Sequence, residues 1–149
     1  MNDRTVEALA RKAKAASRSL ALIDTRVKDR ALAAMAVALK ENASYIMNEN
    51  RKDLALAKKK GLSPALIDRL TLNQKRIASM ADSLYQIAKL KDPVGEVIEN
   101  RKRPNGLLIK KVRVPIGVIL IIFESRPNVT SDCAGLCLQL FLLFPTLCL

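Results

Sequence analysis

Apolar residues recur at helical spacing through the first part of the chain. Residues 3–22 form the first such segment, and its predicted apolar stripe consists of Val6, Leu9, Ala10, Ala13 and Ala16. Thr25 is the predicted N-cap of a long second helix that continues to residue 57, with apolar positions at Leu32, Met35, Ala36, Leu39, Ala43, Ile46 and Met47. The run Lys58-Lys59-Lys60-Gly61 ends this helix, because terminal cations and a following glycine are typical of helix C-termini.

Two shorter helices are predicted next. Ser63 caps the first, with Pro64 at its first position, and this helix continues to residue 69. Asn73 caps the second, whose apolar face contains Ile77, Met80, Ala81, Leu84 and Ile87. Asp92-Pro93 then closes the helical region, because a residue that precedes proline disfavours helical backbone.

The pattern beyond residue 93 is typical of strands. Residues 94–101 and 107–114 are two predicted strands around the turn Pro104-Asn105-Gly106, which favours a hairpin. Residues 116–123 form a continuous apolar run that predicts a parallel strand buried on both faces. A helix is predicted over 129–140, with Thr130, Ser131 or Asp132 near its N-terminus. This order predicts an α/β fold.

Charge is distributed unevenly along the 149 residues, whose net charge is +12. Beyond Pro115 the charged residues are Glu124, Arg126 and Asp132. The basic half has two interpretations, a helical module that binds nucleic acid or solvated helix faces in a protein that handles anionic substrates. Interspersed acidic residues and the lack of interleaved aromatic residues favour the second, so no nucleic-acid partner is predicted.

The chain has no histidine and three cysteines, Cys133, Cys137 and Cys148. No apolar leader is apparent at the N-terminus, so free thiols in a reducing cytoplasm are predicted. Cys133 and Cys137 are four residues apart, a spacing that suits a nucleophile or half of a metal site, but small buried apolar residues are favoured. No metal is predicted.

Residues 133–149 are uncharged and mostly apolar. A membrane anchor is one interpretation, since a membrane-spanning helix needs about 20 apolar residues. This segment is shorter and contains Gln139 and Pro145. A core helix followed by residues outside the fold is therefore favoured, and no stable membrane span is predicted.

The loop that follows the apolar run reads Glu124-Ser125-Arg126-Pro127-Asn128-Val129-Thr130. A strand-to-helix turn is where open α/β sheets bind ligands. Together with the blocks Asn50-Arg51-Lys52-Asp53-Leu54, Asp68-Arg69-Leu70 and Arg103-Pro104-Asn105-Gly106-Leu107, this loop resembles the γ-glutamyl phosphate reductase family of the aldehyde dehydrogenase superfamily. The resemblance implies the first strand, loop and helix of an aldehyde-dehydrogenase-type nucleotide-binding domain.

The resemblance also implies a reaction. The family reduces γ-glutamyl phosphate to glutamate 5-semialdehyde with NADPH in proline biosynthesis, as a homo-oligomer. A cysteine thiolate attacks the acyl phosphate, and the thioester then accepts hydride. Such a reaction needs a hydrogen-bond donor for the charge that develops on the acyl oxygen.

The resemblance assigns roles to residues of the loop. Asn128 matches the family's oxyanion donor, although an asparagine here also suits a helix cap or a turn. Ser125, Arg126 and Pro127 are the predicted cofactor-binding residues, with Ser125 and Arg126 facing either NADP or the acidic substrate. An ion pair with Glu124, or a surface position without a specific partner, is the alternative for Arg126. No Gly-x-Gly-x-x-Gly motif is present, and the superfamily does not use one.

The resemblance ends after Leu138, where the family continues with a polar turn, another strand and an Arg-Gly-Gly segment. Residues 1–138 are therefore predicted to be a partial N-terminal, cofactor-binding domain, and residues 139–149 a non-family tail from a shifted reading frame or a truncation. The family's catalytic cysteine matches none of the three cysteines here. The chain alone is predicted to be inactive and poorly soluble, because the strand over 116–123 would lack its neighbours.

Overall fold

The computed structural model describes residues 3–140, 142–143 and 146–148, and it describes side chains over residues 6–140. The first elements in chain order are the helices α1 (Asp3–Leu20), α2 (Thr25–Glu41), α3 (Ala43–Lys59), α4 (Pro64–Leu70) and α5 (Gln74–Ala88). They are followed by β1 (Val97–Lys102), β2 (Leu108–Val112), β3 (Gly117–Val118), β4 (Ile121–Phe123), α6 (Pro127–Gln139), β5 (Leu142–Leu143) and β6 (Thr146–Cys148). The predicted α/β fold is confirmed.

The core lies where α2, α5 and α6 pack together. Its central cluster consists of Leu32, Ala36, Ala81, Leu84 and Ile87. Every residue predicted on the apolar face of α5 is buried, so that prediction is confirmed. Gly135 lets α6 approach closely, because a Cβ atom at this position would lie 2.6 Å from Leu84 Cδ2.

Several helix ends follow their sequence signals. Gly61 has a φ of 71° after α3, and the Leu62 amide donates to the Ala57 carbonyl at 3.1 Å. The Ser63 hydroxyl accepts from the Leu66 amide at 3.4 Å, and the Asn73 side chain accepts from the Arg76 amide at 2.8 Å. Both predicted caps are confirmed.

The prediction of one long helix from Thr25 was wrong in two respects. Asp24 is the N-cap, since its Oδ1 accepts the Arg26 amide at 2.8 Å. The helix also breaks at Asn42, whose side chain donates to the Ala38 carbonyl at 2.8 Å. A side chain that competes for a helical carbonyl favours such a break.

The apolar stripe predicted for α1 was also inaccurate. Leu9 is 40% exposed and Ala16 is exposed, whereas Ser17 is buried. The Ser17 hydroxyl satisfies its hydrogen-bonding potential within the helix by donating to the Lys14 carbonyl at 2.8 Å. That internal bond lowers the cost of burying a polar residue on the inner face.

The predicted hairpin is confirmed. Strands β1 and β2 pair antiparallel, with a register irregularity between Val97 and Glu99. Residues 103–107 form the connection, in which Arg103 donates to Leu107 at 2.8 Å and Gly106 has a φ of 86°. All side chains of both strands are exposed.

The continuous strand predicted over 116–123 was wrong. Two short strands, β3 and β4, take its place, and Gly117 has a φ of 108°, which a regular strand does not accommodate. Burial on both faces was wrong as well, since Leu120 and Ile122 are 52% and 59% exposed. The run also has strand neighbours, because β3 pairs parallel with β5 and β4 with β6.

The helix predicted over 129–140 begins two residues earlier, at Pro127. Proline at the first helical position is the signal that the sequence prediction overlooked. The helix includes Gln139, which is 1% exposed. Of the predicted tail, residues 141, 144, 145 and 149 and the side chain of Cys148 lie outside the described residues. Within the described part of the chain, no helix has the length and apolar character to cross a membrane.

A buried polar cluster joins three parts of the fold. Lys28 of α2 is fully buried and forms an ion pair with Asp92, which also accepts from the Thr25 hydroxyl at 2.8 Å. Lys28 donates to the Gln139 carbonyl at 3.1 Å, and the Gln139 side chain donates to the Leu90 carbonyl at 2.9 Å. The cluster therefore connects the start of α2, the segment before β1 and the end of α6.

Candidate functional site

A cavity of about 400 Å³ lies between the start of α6 and helices α4 and α5. Arg126, Pro127 and Asn128 lie on one side of this cavity, which we call the α6 pocket. The loop reaches it through Ser125, a non-glycine residue with a φ of 51°. Residues held in this left-handed region are frequent at ligand-binding turns. The two sequence-predicted residues Arg126 and Asn128 therefore lie in one concave site.

Asn128 lies inside α6 and does not cap it. The N-cap is Arg126, which forms no side-chain capping bond, so the capping interpretation of Asn128 was wrong. The Asn128 Nδ2 donates to Asp132 Oδ2 at 3.1 Å, one turn further along the helix. An amide nitrogen carries two hydrogens, so this bond orients the group and leaves a second N–H for another acceptor.

The charged residues that line the α6 pocket are three arginines, Arg69, Arg76 and Arg126, and two carboxylates, Asp68 and Asp132. Arg126 forms no ion pair with Glu124 among the described residues, so that alternative was wrong. The residue is exposed, in agreement with the other alternative, a surface position. Arg69 also lines the pocket. Arg76, by contrast, is held in place, since its NH2 group donates to both carboxylate oxygens of Asp68 at 3.0 and 3.1 Å. Asp68 therefore neutralises Arg76 and not the other two guanidinium groups.

The wall of the pocket opposite Asn128 is fixed from two sides. Asn50 is 4% exposed, accepts the Leu72 amide at 2.7 Å and donates to the Leu70 carbonyl at 2.9 Å. Arg76 donates to the Thr71 carbonyl at 2.6 Å. These bonds pair the backbone of the α4–α5 connection, and a rigid wall can hold a ligand in one position.

The wall of the α6 pocket opposite Asn128 was not predicted from the sequence. Asn50 and the Asp68-Arg69-Leu70 block carried the family resemblance without an assigned role. The relevant signal was present in their residue types, because buried asparagines and paired arginines need defined partners. Their meeting depends on how α3, α4 and α5 pack, which spacing along the chain does not specify.

A second groove, of about 320 Å³, is lined by Ser125, Arg126 and Pro127, and the last two of these also line the α6 pocket. The Ser125 hydroxyl and the Arg126 guanidinium are donors that fit a nucleotide phosphate or ribose. Pro127 has no amide hydrogen and offers only carbon contacts. Glu49 and Asp53 line the same groove and oppose a phosphate on that side. The groove thus combines the donors of Ser125 and Arg126 with two acidic side chains.

The described cysteines are not activated thiols. Burial raises the pKa of the Cys137 thiol to about 11. Burial and the neighbouring Asp132 charge raise the pKa of Cys133 above its usual value. A nucleophilic cysteine needs a lowered pKa, so the interpretation of Cys137 as a small buried apolar residue is confirmed.

Most of the chain aligns with one enzyme in sequence comparison. Over 131 residues the chain is 61% identical to γ-glutamyl phosphate reductase of Carboxydothermus hydrogenoformans, covering 88% of this chain and 32% of that protein. Over 134 residues it is 57% identical to γ-glutamyl phosphate reductase of Caldanaerobacter subterraneus subsp. tengcongensis, covering 90% and 32%. No family model matches the chain.

Comparison of structures agrees with the sequences. The crystal structure of γ-glutamyl phosphate reductase from Thermotoga maritima superposes with a TM-score of 0.90 at 42% identity, over 93% of this chain and 34% of that one. The Saccharomyces cerevisiae enzyme superposes with a TM-score of 0.86 at 33% identity, over 98% and 38%. The chain spans about a third of the length of the curated relatives that it matches. Over that third, the chain is a strong homologue of γ-glutamyl phosphate reductases.

Proposed function

We propose that this chain supplies one wall of the site in which γ-glutamyl phosphate is reduced to glutamate 5-semialdehyde with NADPH, a step of proline biosynthesis. The observation that carries the proposal is the Asn128 amide, oriented by Asp132 inside an arginine-lined pocket. The family relationship names the substrate, and the pocket has the size and charge for a small anionic metabolite.

Asn128 acts in this proposal as the oxyanion donor. Negative charge develops on the acyl oxygen when a thiolate attacks the acyl phosphate, and a neutral amide N–H stabilises that charge without needing to be desolvated as an ion. The bond to Asp132 fixes the amide before the reaction, so less reorganisation is needed in the transition state. The thiolate itself comes from outside the described cysteines, in keeping with the raised pKa values of Cys133 and Cys137.

NADPH supplies the hydride when it is bound. We assign Ser125 as a donor toward its polar groups and Pro127 as an apolar contact, because both line the groove beside the α6 pocket. Arg126 lines both cavities, and we assign it to the acidic substrate. The proposal includes the cytoplasmic location and the homo-oligomeric state that the family resemblance implies.

A chimera tests the proposed function. This chain replaces the matching 131-residue segment of the Carboxydothermus hydrogenoformans relative. Activity is measured as phosphate-dependent reduction of NADP by glutamate 5-semialdehyde, the reverse reaction. We expect the chimera to be active within about tenfold of the unaltered relative. A folded chimera without measurable activity would contradict the proposal, whereas the 149-residue chain alone is expected to be inactive.

A further inference from the structure

We propose that the α6 pocket binds the α-carboxylate of an amino-acid substrate through Arg69 and Arg126. This inference rests on the proposed function, because it identifies which end of the substrate the pocket holds. It goes beyond that function by assigning a carboxylate-binding role to Arg69, which lies on α4 in a different part of the sequence from the loop.

Two guanidinium groups have no protein acceptor in the described residues that line this pocket. Arg76 is already held by Asp68 and the Thr71 carbonyl, while Arg69 and Arg126 have no such bonds. Guanidinium groups pair with carboxylates in a two-pronged geometry that a single lysine does not provide. The pair therefore suits a carboxylate that enters from solvent.

The start of α6 adds to the preference for an anion. Its N-cap makes no side-chain capping bond. Pro127 has no amide hydrogen and the Val129 amide donates to the Arg126 carbonyl at 3.1 Å, so the Asn128 amide is the first-turn donor that remains for an anion. The positive end of the helix dipole also faces the loop that holds Arg126. Ser79 and Ser83, one turn apart on α5, contribute hydroxyl groups to the same pocket. Guanidinium groups, a backbone amide and serine hydroxyls thus line one cavity.

The chemistry of the substrate favours its carboxylate over its phosphate as the ligand of this arginine pair. The phosphate departs during the reaction, whereas the α-carboxylate is unchanged and can hold the chain in position throughout. Asn128 lies in the same pocket, so a carboxylate held by Arg126 places the rest of a short chain beside the amide.

Saturation-transfer NMR on the 149-residue chain, without cofactor, tests this assignment. The probes are L-glutamate, L-glutamine, inorganic phosphate and 4-aminobutyrate. Glutamine keeps the α-carboxylate and lacks the γ-carboxylate, whereas 4-aminobutyrate keeps only the γ-carboxylate. We expect glutamate and glutamine to bind with similar Kd values, and 4-aminobutyrate and phosphate at least about tenfold more weakly. Equal binding of 4-aminobutyrate and glutamate, preferred binding of phosphate, or no binding of glutamate would overturn the proposal.

Matched variants separate the pocket from general charge attraction. Arg69→Gln and Arg126→Gln are each expected to raise the Kd for glutamate at least about tenfold, and both side chains are exposed, so the fold is retained. Arg51→Gln removes the same charge from an exposed site on α3 and should change the Kd less than twofold. Equal weakening by all three variants would overturn the assignment.

The binding experiment and the chimera test the α-carboxylate assignment and the proposed function separately. An active chimera together with indiscriminate anion binding would leave the function in place and remove the α-carboxylate assignment. Selective glutamate binding together with an inactive chimera would retain the binding site and remove the reductase proposal.

Discussion

Asn128 donates its side-chain amide to the Asp132 carboxylate at 3.1 Å, one turn apart on the face of α6 that lines the pocket. Asp132 Oδ1 is buried and has no hydrogen-bond partner among the described residues. A carboxylate placed this way fixes the amide rotamer and, with it, the direction of the remaining N–H. We infer that Asp132 positions Asn128 and does not itself contact the reacting atoms.

Asp132→Ala should therefore reduce turnover more than substrate binding. In the active chimera we expect kcat to fall about tenfold, equivalent to about 1.4 kcal/mol of transition-state stabilisation, while KM changes little. Asp82→Ala is the control, because Asp82 is an exposed acid on α5 that pairs with Lys40 outside the pocket. A rise in KM with unchanged kcat would mean that Asp132 binds substrate instead.

Asn50 is expected to stabilise the wall of the pocket. Asn50→Ala removes both bonds to residues 70–72 and leaves a buried amide and carbonyl without these partners. We expect the free energy of unfolding to fall by about 2 kcal/mol, measured by urea denaturation. Asn48→Ala, at an exposed position on the same helix, should cost less than about 0.5 kcal/mol. Equal effects of the two variants would contradict this role.

The buried ion pair of Lys28 and Asp92 makes the free energy of unfolding depend on pH in the acid range. Burial raises the pKa of Asp92, but hydrogen bonds from Lys28, the Val94 amide and Thr25 outweigh burial and hold the pKa below its ordinary value of 3.8. A lowered folded-state pKa stabilises the fold above the unfolded pKa. This stabilisation is lost as the pH falls below about 3.8 toward the folded-state value.

Asp92→Asn should remove that pH dependence. The buried Lys28 ammonium loses its carboxylate partner, so we expect the unfolding free energy at pH 7 to fall by about 3 kcal/mol. Between pH 5 and pH 2 the variant should lose less stability than the unaltered chain, as measured by urea denaturation in each buffer. Parallel pH profiles of the two proteins would show that the pair does not control acid unfolding.

The apolar surface around β3 is expected to drive self-association of the isolated chain. Val114 and Ile116 are 74% and 78% exposed, and contiguous exposed apolar side chains favour association. Ile116→Lys should lower the associated fraction in sedimentation velocity. Leu22→Lys places the same charge at an exposed leucine outside the strands and should have little effect. A monomer that unfolds in one sharp cooperative transition would contradict this prediction.

Local signals predicted the helical part of the fold well. Ser63 and Asn73 cap helices because a side-chain oxygen beside a free amide is a local relationship, and the α5 stripe is buried because its period matches the helix. The break at Asn42 was overlooked, since the apolar period continues across it. The Asn42 side chain competes with backbone amides for the Ala38 carbonyl, and the spacing of apolar residues carries no information about that competition.

The site was only half predictable for a similar reason. The loop residues Arg126 and Asn128 are close in sequence, and the family resemblance identified them together. Arg69 and Asn50 reach the same region only through the packing of α3 and α4 against α5 and α6. The failed prediction over 116–123 has a related cause, because the apolar composition suited burial but did not reveal the two-strand geometry with β5 and β6.

The most direct test of the central claim is the turnover of the chimera with Asn128→Ala. The side chain is exposed, so the fold should be retained, and circular dichroism checks this. Loss of one oxyanion donor is expected to lower kcat on the order of 100-fold, with a much smaller change in KM. Asn48→Ala, at an exposed amide outside the pocket, should leave kcat unchanged. An Asn128→Ala chimera with undiminished kcat would contradict the assignment of this pocket to the reductase site.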